Sequence, residues 1–442
     1  MTYHWQCACF AVALMIGGPL VAAPPAATQP RAAPPAAKPP VAAPKVAAPQ
    51  AAAPPAARPA TQPADRAWLI KRFDQQFLPQ VQQTLAQPAN NAEGAIAWGL
   101  SYQMAALVEM LDATRDPKYA DLFVKLGRFV VDARDDKHGR KDEIRSRTVK
   151  GWSSVKYSDN KSNKSYVWAA HTGMIIEPMA RFAALVLKDA TLKTGYRSDA
   201  VFFLQTAIEC DAVHEDQFRQ GPGPNEGYLF DPFLNKHLPL NQQNALARAW
   251  IWLADATGDG KYVDRTRLLA RFFKNRIRTT GEGAYVWEYW PPLDGPGTKF
   301  EDISHAAVNA DFMVLCAERG IVFNAADLVR LEKTFLTCVL IAPDKLADTL
   351  QGGSGTDKYR YAPFFWARLA GHSFAARERL VAFCRLGATD RTCSPSEALG
   401  LALLAGAFPP TLTTAPAGTQ PATQTATRAA TQPTSRPTVK TK

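Results

Sequence analysis

Apolar positions in this chain recur at the three- and four-residue spacing of amphipathic helices, and they do so in a repeating plan. In LDATRDPKYADLFVKLGRFVVDA (111–133) an apolar helix ends at Asp-Ala-Thr, a short turn follows, and a Tyr opens a second helix with one apolar face. LKDATLKTGYRSDAVFFLQTAIE (187–209) and LADATGDGKYVDRTRLLARFFKN (253–275) share that plan. CAERGIVFNAADLVRLEKTFLTCVL (316–340) and WARLAGHSFAARERLVAFCR (366–385) are looser copies. Copies spaced by roughly 60 to 75 residues mark a repeated helical hairpin.

The periodicity predicts twelve helices in two alternating sets. One set begins near 66, 117, 196, 260, 324 and 374, the other near 91, 165, 239, 301, 358 and 394. Some starts carry their own caps: Asn324 with Asp327 three residues on, and Ser394 followed by Pro395 and Glu397. Strand signals are few. Connections leaving the second set are short, around Arg115, Gly258 and Gly320, whereas those entering it are long: 134–164, 213–238, 278–300 and 342–357. Twelve alternating helices with every long loop at one end describe an all-α (α/α)6 toroid, six outer and six inner helices around a funnel. Its first helix (66–86) and last (394–406) would then be neighbours. Loops longer than ~12 to 15 residues in a compact domain are usually functional.

This twelve-helix plan, with aromatic loops on one rim, resembles the α/α-toroid enzymes that act on polysaccharides: lyases of the alginate-lyase and heparinase type, and six-hairpin glycosidases. The resemblance covers most of 66–406 and lies in the architecture. It implies a carbohydrate-active enzyme with its site at the long-loop end of the funnel.

The ends of the 442-residue chain have a different composition. FAVALMIGGPLVAA (10–23) has the length and small-residue ending of a signal peptide, although no Lys or Arg precedes it. Residues 1–23 are therefore expected to direct export to the periplasm, envelope or medium. Residues 24–64 (mainly Pro, Ala and Gln) and 411–442 (Thr, Pro and Gln) lack large apolar side chains and are expected to be extended tethers flanking a folded 65–410. No stretch reaches the ~18 to 20 apolar residues of a membrane span.

Charge alone would suggest nucleic acid, and its distribution argues against that. Of the net +11, eight charges lie in the tethers (Arg31, Lys38, Lys45, Arg58, Arg428, Arg436, Lys440, Lys442), which contain no acid. The folded region is only +3, yet residues 134–164 hold ten Lys or Arg against five acids, interleaved with Trp152 and Tyr157. A basic, aromatic loop on a near-neutral domain suits an acidic polysaccharide. Cys210, Cys316, Cys338, Cys384 and Cys393 show no CxxC spacing and read as free thiols. No metal site or cofactor motif emerges.

Polar groups collect where four inner helices begin. His171 lies early in YVWAAHTGMIIEPMARFAALV; Asn241 and Asn244 open NQQNALARAWIWLA; Glu301, Asp302 and His305 open EDISHAAVNADFMVLCA; Tyr359, Arg360 and Tyr361 open the fifth. Helix N-termini carry partial positive charge and favour anions. The loop YVWEYW adds Trp287, Glu288, Tyr289 and Trp290, and GYLFDPF adds Tyr228, as walls for sugar rings. For a uronate polymer the chemistry is β-elimination: neutralise the carboxylate, remove the C5 proton, protonate the leaving oxygen. The expected assignment gives Asn244, His171 and Arg360 the carboxylate, and Tyr289 or Tyr361 with His305 the proton transfers. Trp152, Tyr157, Tyr228, Asn241, Trp287, Glu288, Trp290, Glu301, Asp302 and Tyr359 are expected to contact substrate.

Structural readings compete at several of these positions. Glu301 follows Thr298 by three and fits a capping box. His305 pairs as well with Glu301, His171 fits a core histidine, and Asn241 a helix cap. Three further functions stay open: a glycoside hydrolase drawing two carboxylates from Glu288, Asp231, Glu301 and Asp302, a C5-epimerase that uses similar proton chemistry without cutting the chain, and a glycan-binding protein without catalysis.

Overall fold

The computed structural model describes residues 62–408, apart from 92, 158–162, 294–296, 298, 354, 356 and 388–391. The expected export signal (1–23), residues 24–61 of the first tether and the tail 411–442 lie outside the described residues, as does Thr298. Helix begins at Gln62, slightly ahead of the expected boundary.

The outer helices are α1 (Gln62–Gln76) with its continuation α2 (Leu78–Leu85), α4 (Pro117–Asp132), α6 (Ala190–Asp211), α8 (Gly260–Lys274), α10 (Ala325–Thr334) and α12 (Phe374–Leu386). Between them run the inner helices α3 (Ser101–Thr114), α5 (Ala169–Lys188), α7 (Leu240–Thr257), α9 (Ile303–Glu318), α11 (Ala362–Phe365) and α13 (Pro395–Ala407). Each inner helix touches the next, from α3 round to α13, and α13 touches α3. The ring is closed, and the fold is an (α/α)6 toroid. The closure is also polar: Arg66 of α1 donates to the carbonyls of Ala113 and Ala405, and Arg72 pairs with Glu397 of α13.

The repeated Asp-Ala-Thr segment has a physical role in two copies. Thr114 and Thr257 donate back to the carbonyls of Met110 and Leu253 at 2.7 Å, and each accepts from the amide of Asp116 or Asp259. Those aspartates then cap α4 and α8. Arg115, Gly258 and Gly320 take left-handed conformations in the short turns. The second copy departs from the expectation. Asp189 caps α6 through Thr191 and Leu192, so Asp-Ala-Thr starts the outer helix at Ala190 instead of ending the inner one. No residue there terminates α5 in a left-handed conformation.

The inner helices are mostly buried, and α5 and α7 pack backbone to backbone at Gly173. A Cβ on Gly173 would lie 2.4 Å from the Leu246 amide nitrogen, so the absent side chain permits the approach. The long loops carry more extended structure than the sequence pattern suggested. Strands β1 (Phe218–Gln220), β2 (Gly227–Asp231) and β3 (Lys236–His237) form an antiparallel sheet, and β4 (Arg278–Thr279) pairs with β5 (Tyr285–Val286). Four of these five strands have only two or three residues, too few to show alternation in the sequence. Cys210, Cys316, Cys338, Cys384 and Cys393 are free thiols. No helix among the described residues is long and apolar enough to cross a membrane.

Candidate functional site at the funnel mouth

Inner and outer helices alternate in direction, four of the six inner ones are entered from long loops, and the inner N-termini share one end of the toroid. The side chains there form a connected circle. Trp98, just before α3, donates its indole N–H to His171 Nε2 at 3.0 Å. Tyr157 lies over His171 with ring centres 5.2 Å apart and is within electrostatic reach of Tyr289. Tyr289 faces His305 at 5.2 Å, and His305 Nδ1 meets Asp302 Oδ2 at 2.5 Å. Ser304 bonds the Tyr361 hydroxyl, Tyr361 abuts Phe365, and Phe365 stacks on Tyr102 of α3 at 4.5 Å.

Each titratable group has an environment that fixes its state. A tryptophan N–H only donates, so His171 Nε2 accepts. Burial first and Lys156 second hold His171 neutral, with its pKa lowered to about 3. Its proton therefore resides on Nδ1, a fully buried donor with no acceptor among the described residues. Asp302 is held ionised, pulled down to about 2 against its burial by His305, Ser304 and the His305 amide. It also caps α9 through the amides of Ser304 and His305. Burial, then Glu301 and Asp302, push the Tyr289 phenol up, so it stays protonated at neutral pH. Burial and the Asp302 charge push Tyr361 up as well.

Glu301 has a separate task. It is fully buried, and desolvation with the neighbouring Asp302 raises its pKa well above the carboxylate range. Its Oε2 accepts from Trp287 Nε1 and from Asn309 Nδ2, and Asn309 Oδ1 accepts from Asn244 Nδ2 at 2.6 Å. Its backbone is held at both ends, by the Trp287 carbonyl and the Leu350 amide. Glu301 thus braces α9 against α7 and the 285–290 loop, while Asp302 beside it orients His305.

The expected site residues divide on this geometry. His171, Tyr157, Tyr289, Asp302, His305 and Tyr361 are brought together at the mouth. Tyr359 is nearly buried next to Lys358 and near Asp302. Asn244 and Asn241 are buried in the α7 wall, Asn244 committed to Asn309. Trp152 is a correction: it is buried, with its N–H on the Val130 carbonyl, so it offers no face to a ligand. Trp287 is likewise core, stacked on Trp366 and meeting Phe273 edge-on. Glu288 is buried and paired with Arg278, and Arg360 lies over Phe383 of outer α12. Tyr228 packs on Phe272 of α8, and Trp290 donates to the His237 carbonyl on the outer side of Tyr289. The basic loop is also corrected. Arg134, Lys137, Arg140, Arg145 and Lys150 pair with nearby acids, and Lys156 is the cation set against His171.

Other mouth residues carried no signal in the sequence. Trp98, Tyr102 and Phe365 look like ordinary core aromatics, and Asn309 sits mid-helix. Beneath Tyr102 and Phe365 the funnel closes on a cavity of about 20 Å³, enough for one water. An ion network lines it: Arg368 with Glu109 and Asp311, and Arg248 with Asp311, extended by Arg181 with Glu109 and Asp112. Of the four carboxylates considered for hydrolysis, Glu301 and Asp302 stay side by side at the mouth, Glu301 with its pKa raised and Asp302 held ionised. Asp231 is buried, capping its own turn through the amides of Phe233 and Leu234, and Glu288 is tied to Arg278.

The class these observations define is an (α/α)6 toroid with a His–Tyr–Asp cluster at its open end. No family model and no curated protein matches the chain. Solved structures do. Cellobiose 2-epimerase from Spirochaeta thermophila is 14% identical, with 79% of this chain and 98% of that one covered and a TM-score of 0.49. The alpha-1,6-mannanase of Salegentibacter sp. HEL1_6 is 10% identical, with 78% and 99% covered and a TM-score of 0.48. A polysaccharide lyase is 13% identical, with 78% and 97% covered and a TM-score of 0.38. At these identities the likeness concerns the fold alone.

Proposed function

We propose that this protein cleaves a uronate-containing, acidic polysaccharide by β-elimination at the funnel mouth. One observation carries the reading: a histidine oriented by an ionised carboxylate faces a protonated tyrosine across 5.2 Å. In its neutral form His305 gives Nδ1–H to Asp302 and uses the Nε2 lone pair as base. His305 takes the C5 proton, the C5–H electrons form the C4–C5 double bond, and the C4–O bond breaks. Tyr289 gives its proton to the departing oxygen. The negative charge that develops on the uronate carboxyl meets Lys156. No step uses a metal or cofactor.

Elimination and hydrolysis differ by one water in the product. Mass spectrometry of oligosaccharides released from a uronate polymer therefore tests the proposal. Fragments lacking that water support elimination, and fully hydrated fragments would replace it with hydrolysis.

A further inference from the structure

The two hairpin loops beside the mouth are locked to each other and carry a cation that no carboxylate among the described residues pairs with. Trp290 donates its indole N–H to the His237 carbonyl at 2.8 Å, and His237 Nε2 meets the Pro291 carbonyl at 2.8 Å. Leu240 N donates to the Tyr289 carbonyl at 3.1 Å, so the platform is continuous with the start of α7. The Lys236 ammonium rests 3.6 Å from the centre of the Trp290 ring. No carboxylate among the described residues pairs with it, and the side chain is exposed to solvent apart from the ring. An exposed cation fixed on an aromatic ring, with no carboxylate beside it among the described residues, is placed to take a ligand anion. Trp290 in turn neighbours Tyr289, whose ring faces His305.

We infer that Lys236, seated on Trp290, is a subsite for the carboxylate of a uronate residue flanking the one that reacts, so that the polymer runs from the mouth across the 227–237 and 285–291 loops. The inference rests on the elimination reading for its substrate, and it adds a place where chain length is sensed. Trp290 acts here as the rigid seat of the cation, since Lys236 covers one face of its ring. A flanking carboxylate contributes equally to ground and transition states, so its effect falls on KM.

The test compares Lys236→Ala with the full-length protein. Affinity electrophoresis in gels containing alginate, polyglucuronate or polygalacturonate is run at low and high salt, with neutral mannan as the control. The expected result is binding to an acidic polymer weakened about three- to tenfold by Lys236→Ala, with no change on mannan and with salt erasing the difference. Where turnover is seen, KM rises by the same factor with kcat little changed. Unaltered retardation of Lys236→Ala on every acidic polymer that retards the wild type overturns the inference, as does wild-type retardation on none of them. If Lys236→Ala loses retardation but the wild type releases no unsaturated product, the subsite stands and the elimination reading falls.

Discussion

The Asp302 carboxylate and the His305 imidazole, one helical turn apart, meet at 2.5 Å through Oδ2 and Nδ1. The same Asp302 caps α9, so one side chain starts the helix and sets the tautomer of the base that the helix carries.

Asp302→Asn separates those two tasks. Asparagine caps helices as well as aspartate does, so the melting temperature should change little. The amide cannot stabilise the imidazolium formed during proton abstraction, and kcat should fall about a hundred- to ten-thousand-fold. Kinetics with calorimetry on the same preparation check both halves.

Tyr289→Phe removes the proton donor while keeping the ring against His305. The expected loss is about a hundred- to ten-thousand-fold in kcat with KM nearly unchanged. A KM-only effect would make Tyr289 a binding residue.

Glu301 and its neighbour are predicted to behave differently. The carbonyl of Glu301→Gln still accepts from Trp287 and Asn309, so activity should stay within about threefold of wild type. Glu301→Ala strands both donors and opens a void, costing about 2–4 kcal/mol in a denaturant melt. Loss of turnover in Glu301→Gln with stability intact would make Glu301 an acid or base itself.

His214 offers a pH test outside the site. It is buried between Thr172 and Gln217, and burial, then Arg145, lower its pKa to about 3 from the usual 6.5. The unfolded chain binds the proton more readily between those values. His214 therefore contributes stability at neutral pH that is lost as pH falls from 6.5 toward 3. The stability of wild type relative to His214→Gln should drop by about 1.4 kcal/mol per pH unit across that range. A difference independent of pH would contradict it.

Gly173→Ala tests the fold. Its Cβ would meet the α7 backbone, which cannot swing aside as a side chain can, so about 1–3 kcal/mol should be lost.

The sequence carried the architecture because the repeat is physical. Thr114 and Thr257 build the same turn twice, and period and loop length alternate with it. It also located the mouth, since Tyr289, Asp302, His305 and His171 begin helices or lie in the loops that enter them. What it did not carry was the direction of side chains. Trp287 and Trp290 stand three residues apart in one loop, yet one is core and the other rim. Asn244 is a polar residue at an inner N-terminus, like His171, but faces Asn309. Charge misled where pairing is local. The ten cations of 134–164 look like a patch until Asp132, Asp135, Asp136, Asp142 and Glu209 come beside five of them.

The central claim meets its most direct test in near-ultraviolet absorbance, followed while the protein is incubated with alginate, glucuronan, pectate and glycosaminoglycans in turn, with His305→Ala alongside. A rise on one polymer that His305→Ala abolishes is the predicted result, because only elimination creates the conjugated 4,5-unsaturated uronate. New reducing ends with a flat trace would contradict it.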